Sequence, residues 1–97
     1  MPVSTAKILT RHPDPEKKGA NISKSKYDII REGIIEVLGR KQLTATEIFN
    51  MLKLDLDGSF DGSITWYGET VKLDLEARKL IERIPGTQPQ LYRLLKK

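Results

Sequence analysis

The sequence contains no cysteine, so neither a disulfide framework nor a thiolate metal site is open to it. It has one histidine. His12 lies beside Pro13 with no companion ligands, and it reads as a solvated loop residue. No apolar run exceeds three residues, which excludes a membrane-spanning helix, and no apolar h-region follows Met1–Ser4 to make a signal peptide. A soluble cytoplasmic protein is the expectation. A nucleophile–base constellation, a phosphate-cradling glycine-rich loop and a pair of metal-type ligands are also missing, so neither an enzyme nor a cofactor is expected.

Charge excess is missing from most of the chain as well. The formal net charge is +4. Residues 1–26 hold six bases against two acids, and residues 27–97 hold eleven of each. The whole excess therefore lies in an N-terminal segment, and a neutral remainder exerts little long-range pull on a polyanion. Within it, the two prolines of residues 12–19, Pro13 and Pro15, exclude a regular helix there. Residues 1–22 are expected to form a basic, partly mobile arm, with a short strand possible over residues 6–10. Ninety-seven residues suffice for one domain with its own core, and residues 23–97 are assigned to it.

What is present has clear periodicity. A first helix is expected from Ser23 to Leu38, with Tyr27, Ile30, Ile34, Val37 and Leu38 as its apolar stripe and Gly39 suited to the left-handed position beyond its end. Thr44-Ala45-Thr46-Glu47 is a capping box that opens a second helix, expected to fade near Lys53. Gln42-Leu43-Thr44 just ahead can form a short strand. In the following loop, Asp57, Ser59, Asp61 and Gly62 match early positions of an EF-hand. The twelfth position falls on Gly68 instead of a glutamate, so the acids are better explained as shaping a turn before a helix N-terminus.

The stretch from Ser63 to Leu80 organises the rest. Ser63 is a good N-cap, and Glu69–Lys72, Asp74–Arg78 and Glu76–Lys79 are opposite charges at helical spacing. Ile64, Gly68, Val71 and Leu75 form one apolar stripe; Trp66, Thr70, Leu73, Ala77 and Leu80 form a second, nearly opposite. Two stripes imply a helix covered on both sides, by its own chain or by a partner. The helix leads directly into Ile81–Ile84, a turn bracketed by Pro85-Gly86 and Gln88-Pro89, and a return strand ending at Leu94. The expected fold is α+β and mostly helical: a winged helix-turn-helix of three helices plus a C-terminal β-hairpin wing, with an N-terminal arm.

Residues 66–78 and 80–86, with His12-Pro13, Lys17-Lys18-Gly19, Asn21-Ile22 and Lys26-Tyr27, resemble a small bacterial family of winged-helix-like proteins of unknown function. Asp74-Leu75-Glu76 with Leu80-Ile81-Glu82-Arg83 is more loosely similar to winged helix-turn-helix transcriptional regulators. The first resemblance brings no catalytic residues and implies that the arm is more ordered than its composition suggests.

Two functions follow. As a DNA-binding module of the kind found in small transcriptional regulators, the chain would read double-stranded DNA with Ser63, Thr65, Tyr67, Glu69 and Lys72. Lys24, Lys26, Arg40, Lys41, Arg83, Gln88 and Arg93 would contact phosphates, and a homodimer would read two half-sites. Alternatively it is a protein-interaction or dimerisation module that uses the same fold without DNA; this explains the neutral domain and the doubled stripe. Trp66 discriminates between them. It is expected to pack as core beneath the wing or arm; facing solvent, it would instead be an interaction anchor.

Overall fold

In the computed structural model, which describes residues 6–56 and 58–95, helix α1 spans Lys24–Arg40 and buries the five expected stripe residues. It runs through Gly39 and ends with Lys41 as an extended C-cap, so Gly39 is a helical residue here and not the left-handed terminator. The capping box closes as expected: Thr44 Oγ1 accepts from Glu47 N–H at 3.2 Å and Glu47 Oε1 accepts from Thr44 N–H at 2.9 Å. Helix α2, Ala45–Asp55, follows from it. The Thr44 backbone N–H, then its hydroxyl, hold the Glu47 carboxyl below its ordinary range. The EF-hand-like reading includes Asp57, which lies outside the described residues.

Helix α3, Ile64–Ala77, is continuous through Gly68. A Cβ at Gly68 would lie 2.8 Å from Phe49 Cδ1, so this glycine lets α2 and α3 approach at a distance no larger residue allows without a shift. The helix stops three residues before Leu80. Lys79 adopts a left-handed φ of 65°, Leu80 N–H donates to Leu75 O and Lys79 N–H donates to Glu76 O. This is a Schellman termination, and it turns the chain into the strand at Ile81.

The strands form two antiparallel sheets. At the N-terminus, β1 (Lys7–Leu9) pairs with β2 (Asn21–Ser23), with Ile8 opposite Ile22. The other sheet has β3 (Leu43–Thr44) and β4 (Ile81–Arg83) on either side of β5 (Leu91–Leu94). Leu43 faces Tyr92, and Ile81 faces Leu94. The architecture is thus α+β, with three helices around a core of Ile30, Ile34, Ile48, Leu52, Val71 and Leu75, each fully shielded from solvent. Burying such a side chain is worth ~1.5–3 kcal/mol, and Val37, Leu43 and Ile81 add to the same core.

Composition suggested a partly mobile arm; hydrogen bonds tie it down. Beyond the β1–β2 pairing, Thr10 N–H donates to Ala20 O, and Ala20 N–H donates to Thr10 Oγ1. A Cβ on Gly19 would sit 1.8 Å from Thr10 O, so only glycine lets the two strands close here. His12, half-buried, accepts from Asp14 N–H through Nδ1.

Candidate functional site

Helix α3 is the element on which the arm, the other helices and the C-terminal sheet converge. Ser63 Oγ starts it by accepting from Trp66 N–H at 3.1 Å. At 100° per residue its surface divides into an inward face and three others. The inward face carries Gly68, Val71 and Leu75, all buried, which is the first expected stripe.

The second face holds Asp74, fully inaccessible to solvent. Its carboxylate accepts from Arg11 N–H at 2.8 Å, from Arg78 Nε at 2.9 Å and from the Tyr27 hydroxyl. Arm, α1 and α3 therefore meet at one carboxylate, and a buried charge needs such a full set of partners. Burial, together with the hydrogen bond to Asp74, pushes the Tyr27 hydroxyl up to about 12. The bond to Asp74 likewise raises the Arg78 guanidinium.

The third face holds Lys72 and Glu76. Lys72, expected at a DNA groove, is only 1% exposed. Its Nζ lies 3.1 Å from Glu76 Oε2, 3.4 Å from Glu69 Oε1 and 4.6 Å from the centre of the Tyr92 ring. Arg83 Nε bonds the other Glu76 oxygen at 2.6 Å. The anticipated Glu76–Lys79 pair is replaced by these contacts, since Lys79 lies past the helix end in the left-handed turn. The Glu69–Lys72 and Asp74–Arg78 pairs form.

The fourth face is the second stripe, and it is incompletely covered. Thr70, Leu73 and Ala77 are half-buried, while Trp66 is 50% exposed. This corrects the expectation of a core tryptophan. Trp66 touches Tyr67 edge-on, with ring centres 5.0 Å apart, and Tyr67 is in turn edge-on to Phe60. What partly covers the stripe is the arm. Thr10, Lys18, Gly19 and Ala20 line a cleft with Thr70 and Leu73. Leu9, Arg11, Lys17 and Lys18 line a second with Ala77.

The remaining candidate residues divide into groups. Ser63, Thr65, Trp66, Tyr67 and Lys26 gather at the start of α3, where the Lys26 ammonium sits 5.4 Å from the Tyr67 ring centre and 4.0 Å from Asp61. Lys24 pairs with Asp28 and Arg40 with Glu36 one turn along α1, and Arg93 pairs with Glu82 across the sheet. Gln88 is exposed in the turn between β4 and β5, and Lys41 is exposed beyond α1. Sequence reasoning missed that Arg11, Lys17 and Lys18 lie beside α3; the charge excess of the arm was the only signal available.

Among the described residues, no helix is long and apolar enough to cross a membrane. No group of three or more His, Cys, Asp or Glu among them could hold a metal ion. A family model described as "Family of unknown function (DUF6958)" matches residues 7–92. No curated protein and no solved structure matches the chain.

Proposed function

The chain belongs to this family of unknown function, and from its own surface we propose that it is a winged-helix module that binds another protein through the exposed stripe of α3, without reading DNA. The winged-helix part is an argument from topology: α1, β3, α2, α3, β4 and β5 follow in that order, and β3 pairs with β5. A fold of this kind does not decide a function. The observation that carries the reading is Trp66, half-exposed at the head of the stripe it forms with Thr70, Leu73 and Ala77. Tryptophan is enriched among the residues that anchor protein interfaces, where a desolvated aromatic side chain contributes far more than its neighbours.

The same helix is a poor reader of base edges. Direct readout needs free donors and acceptors projecting from the helix. Lys72 is buried, Glu69 is turned to it, and Arg83 and Arg93 on the adjoining strands are held by Glu76 and Glu82. Duplex DNA keeps some support as a second reading, through the fold analogy and the exposed cations of the arm.

Two measurements on the full chain separate them. Trp66 is the sole tryptophan, so its emission reports directly on the stripe. Mixed-sequence duplex titrated at low salt is expected to give no saturable change in emission or in anisotropy of labelled DNA. Binding that weakens steeply with salt overturns the proposal. Peptides selected by display on the folded chain are expected to shift Trp66 emission to the blue. Trp66→Ala should weaken them at least tenfold while changing stability by about 1 kcal/mol or less, since its aromatic contact is the edge of Tyr67. Selected peptides indifferent to this substitution would also refute the reading.

A further inference from the structure

The arm sorts its charges. Arg11, His12, Lys17 and Lys18 line the clefts that border the α3 stripe, and among the described residues no acid lines either of them. Asp14, one of the arm's two acids, instead lines a cleft on the other side, together with Glu76, Glu82 and Arg83. Glu16, the second, lines none of these clefts. The floor beneath the cations is aliphatic: Leu73 and Ala77 are half-buried, and Leu9 is 66% exposed. Trp66 closes the strip at its other end.

We infer that this strip is the docking site for an acidic amphipathic helix of a partner protein, laid along α3 with its apolar side chains on Trp66, Leu73, Ala77 and Leu9 and its carboxylates toward Arg11, Lys17 and Lys18. The inference rests on the proposed function and adds the chemistry of the partner. Trp66, Thr70, Leu73 and Ala77 recur at intervals of four, three and four, the spacing at which one helix presents a seam to another. From Trp66 to Ala77 the seam is about 17 Å long at ~1.5 Å per residue, matching three turns of a partner helix.

Charge complementarity selects the sign of the partner. A basic helix would meet Arg11, Lys17 and Lys18 with no acid lining either cleft to offset them, and like-charge contacts across an interface reject partners effectively. A nucleic acid strand would satisfy the cations. Along the strip it would find Trp66 as the one exposed ring, with Tyr67 and Phe60 half-buried edge-on beside it, and three aliphatic side chains that offer its bases nothing, whereas strand-binding surfaces rely on serial aromatic platforms. A second copy of this chain is a poorer occupant too, because the exposed face of its α1 interleaves Lys24 and Arg40 with Glu32 and Glu36.

The probe is a synthetic helical peptide of roughly 16 residues, with leucines on one seam and glutamates on its flanks. Three controls accompany it: the same peptide with lysines for glutamates, a poly-glutamate of equal length, and a 15-nucleotide oligo(dT). The acidic amphipathic peptide is expected to bind the full chain and shift Trp66 emission to the blue, weakening severalfold between roughly 50 and 200 mM salt. Lys17→Glu/Lys18→Glu should weaken it at least tenfold. Both lysines are exposed, so far-ultraviolet circular dichroism and the melting temperature of that variant should match the parent. The inference is overturned if the acidic peptide does not bind, if the lysine peptide or poly-glutamate binds equally well, or if the double substitution has no effect. Oligo(dT) that displaces the peptide at lower concentration assigns the strip to nucleic acid instead. If displayed peptides still require Trp66 but carry no acidic bias, this inference falls and the protein-binding function survives. If nothing selected depends on Trp66, both fall.

Discussion

Replacing Asp74 by asparagine removes one charge and almost no volume from a site with no access to water. The carboxylate accepts from three donors on three different elements: Arg11 N–H, the Tyr27 hydroxyl and Arg78 Nε. The amide keeps one acceptor atom and converts the other into a donor, which then faces a donor. Tyr27 can reverse its hydroxyl, but neither Arg78 Nε nor Arg11 N–H can. Removing one partner of a buried ion pair costs ~3–5 kcal/mol. The Arg78 side chain keeps 28% of its surface in water, which places the cost near the lower end, about 3 kcal/mol. A domain of this size has a total of roughly 5–15 kcal/mol. At ~4–8 °C per kcal/mol, Asp74→Asn should lower the melting temperature by roughly 12–24 °C. Amide hydrogen exchange then distinguishes an anchor from a general loss: Arg11 and Ala20 should lose more protection than Ile34 or Leu75. A loss below about 1 kcal/mol, or protection at Arg11 unchanged relative to the core, would refute the idea that this carboxylate holds the arm.

Tyr27 gives a pH signature. Its hydroxyl is pushed from 10.0 to about 12 in the folded chain, so between those values the unfolded state gives up a proton that the folded state retains. Stability is therefore fully present below pH 10 and falls as the pH rises toward 12, by at most about 3 kcal/mol. Urea melts of Tyr27→Phe across this range should lack that component, and equal alkaline slopes in parent and variant would count against the assignment. Gly68→Leu should cost about 1–3 kcal/mol by forcing α2 from α3 at Phe49, whereas Gly68→Ala recovers ~1 kcal/mol of helix propensity against its smaller clash. A Gly68→Leu chain melting with the parent would mean that the contact with Phe49 is not close.

Local chemistry was legible in the sequence wherever donor and acceptor are near neighbours. The Thr44–Glu47 box, the Ser63 cap and the α1 stripe all depend on residues within four or five positions of one another, and each formed. The short strand at Leu43–Thr44 was visible only through the winged-helix expectation, in which a short strand ahead of the second helix pairs with the hairpin. Lys72, Asp74 and Glu76 were not legible as buried residues. A run of alternating charges at helical spacing looks like a solvated face, and the groups that bury these three lie elsewhere in the chain: Arg11, Tyr27, Arg83 and Tyr92. Trp66 failed for the opposite reason. A large apolar side chain on a helical stripe is normally covered, but the arm lies beside Leu73 and Ala77, leaving them half-buried, and leaves the tryptophan half-exposed. Gly39 offered a terminator that α1 did not use, because helical geometry remained available one residue further.

The arm meets Asp74 through the main-chain N–H of residue 11 and not through that residue's side chain. Its attachment is therefore blind to amino-acid identity: any residue but proline supplies the same donor. Tyr27, Asp74 and Arg78 cannot drift independently, since losing either donor leaves the fully buried Asp74 carboxylate short of a partner. The outward-facing side chains of the arm are under no such constraint. Evolution can rewrite them one at a time, altering what the surface attracts while the clasp beneath it stays shut.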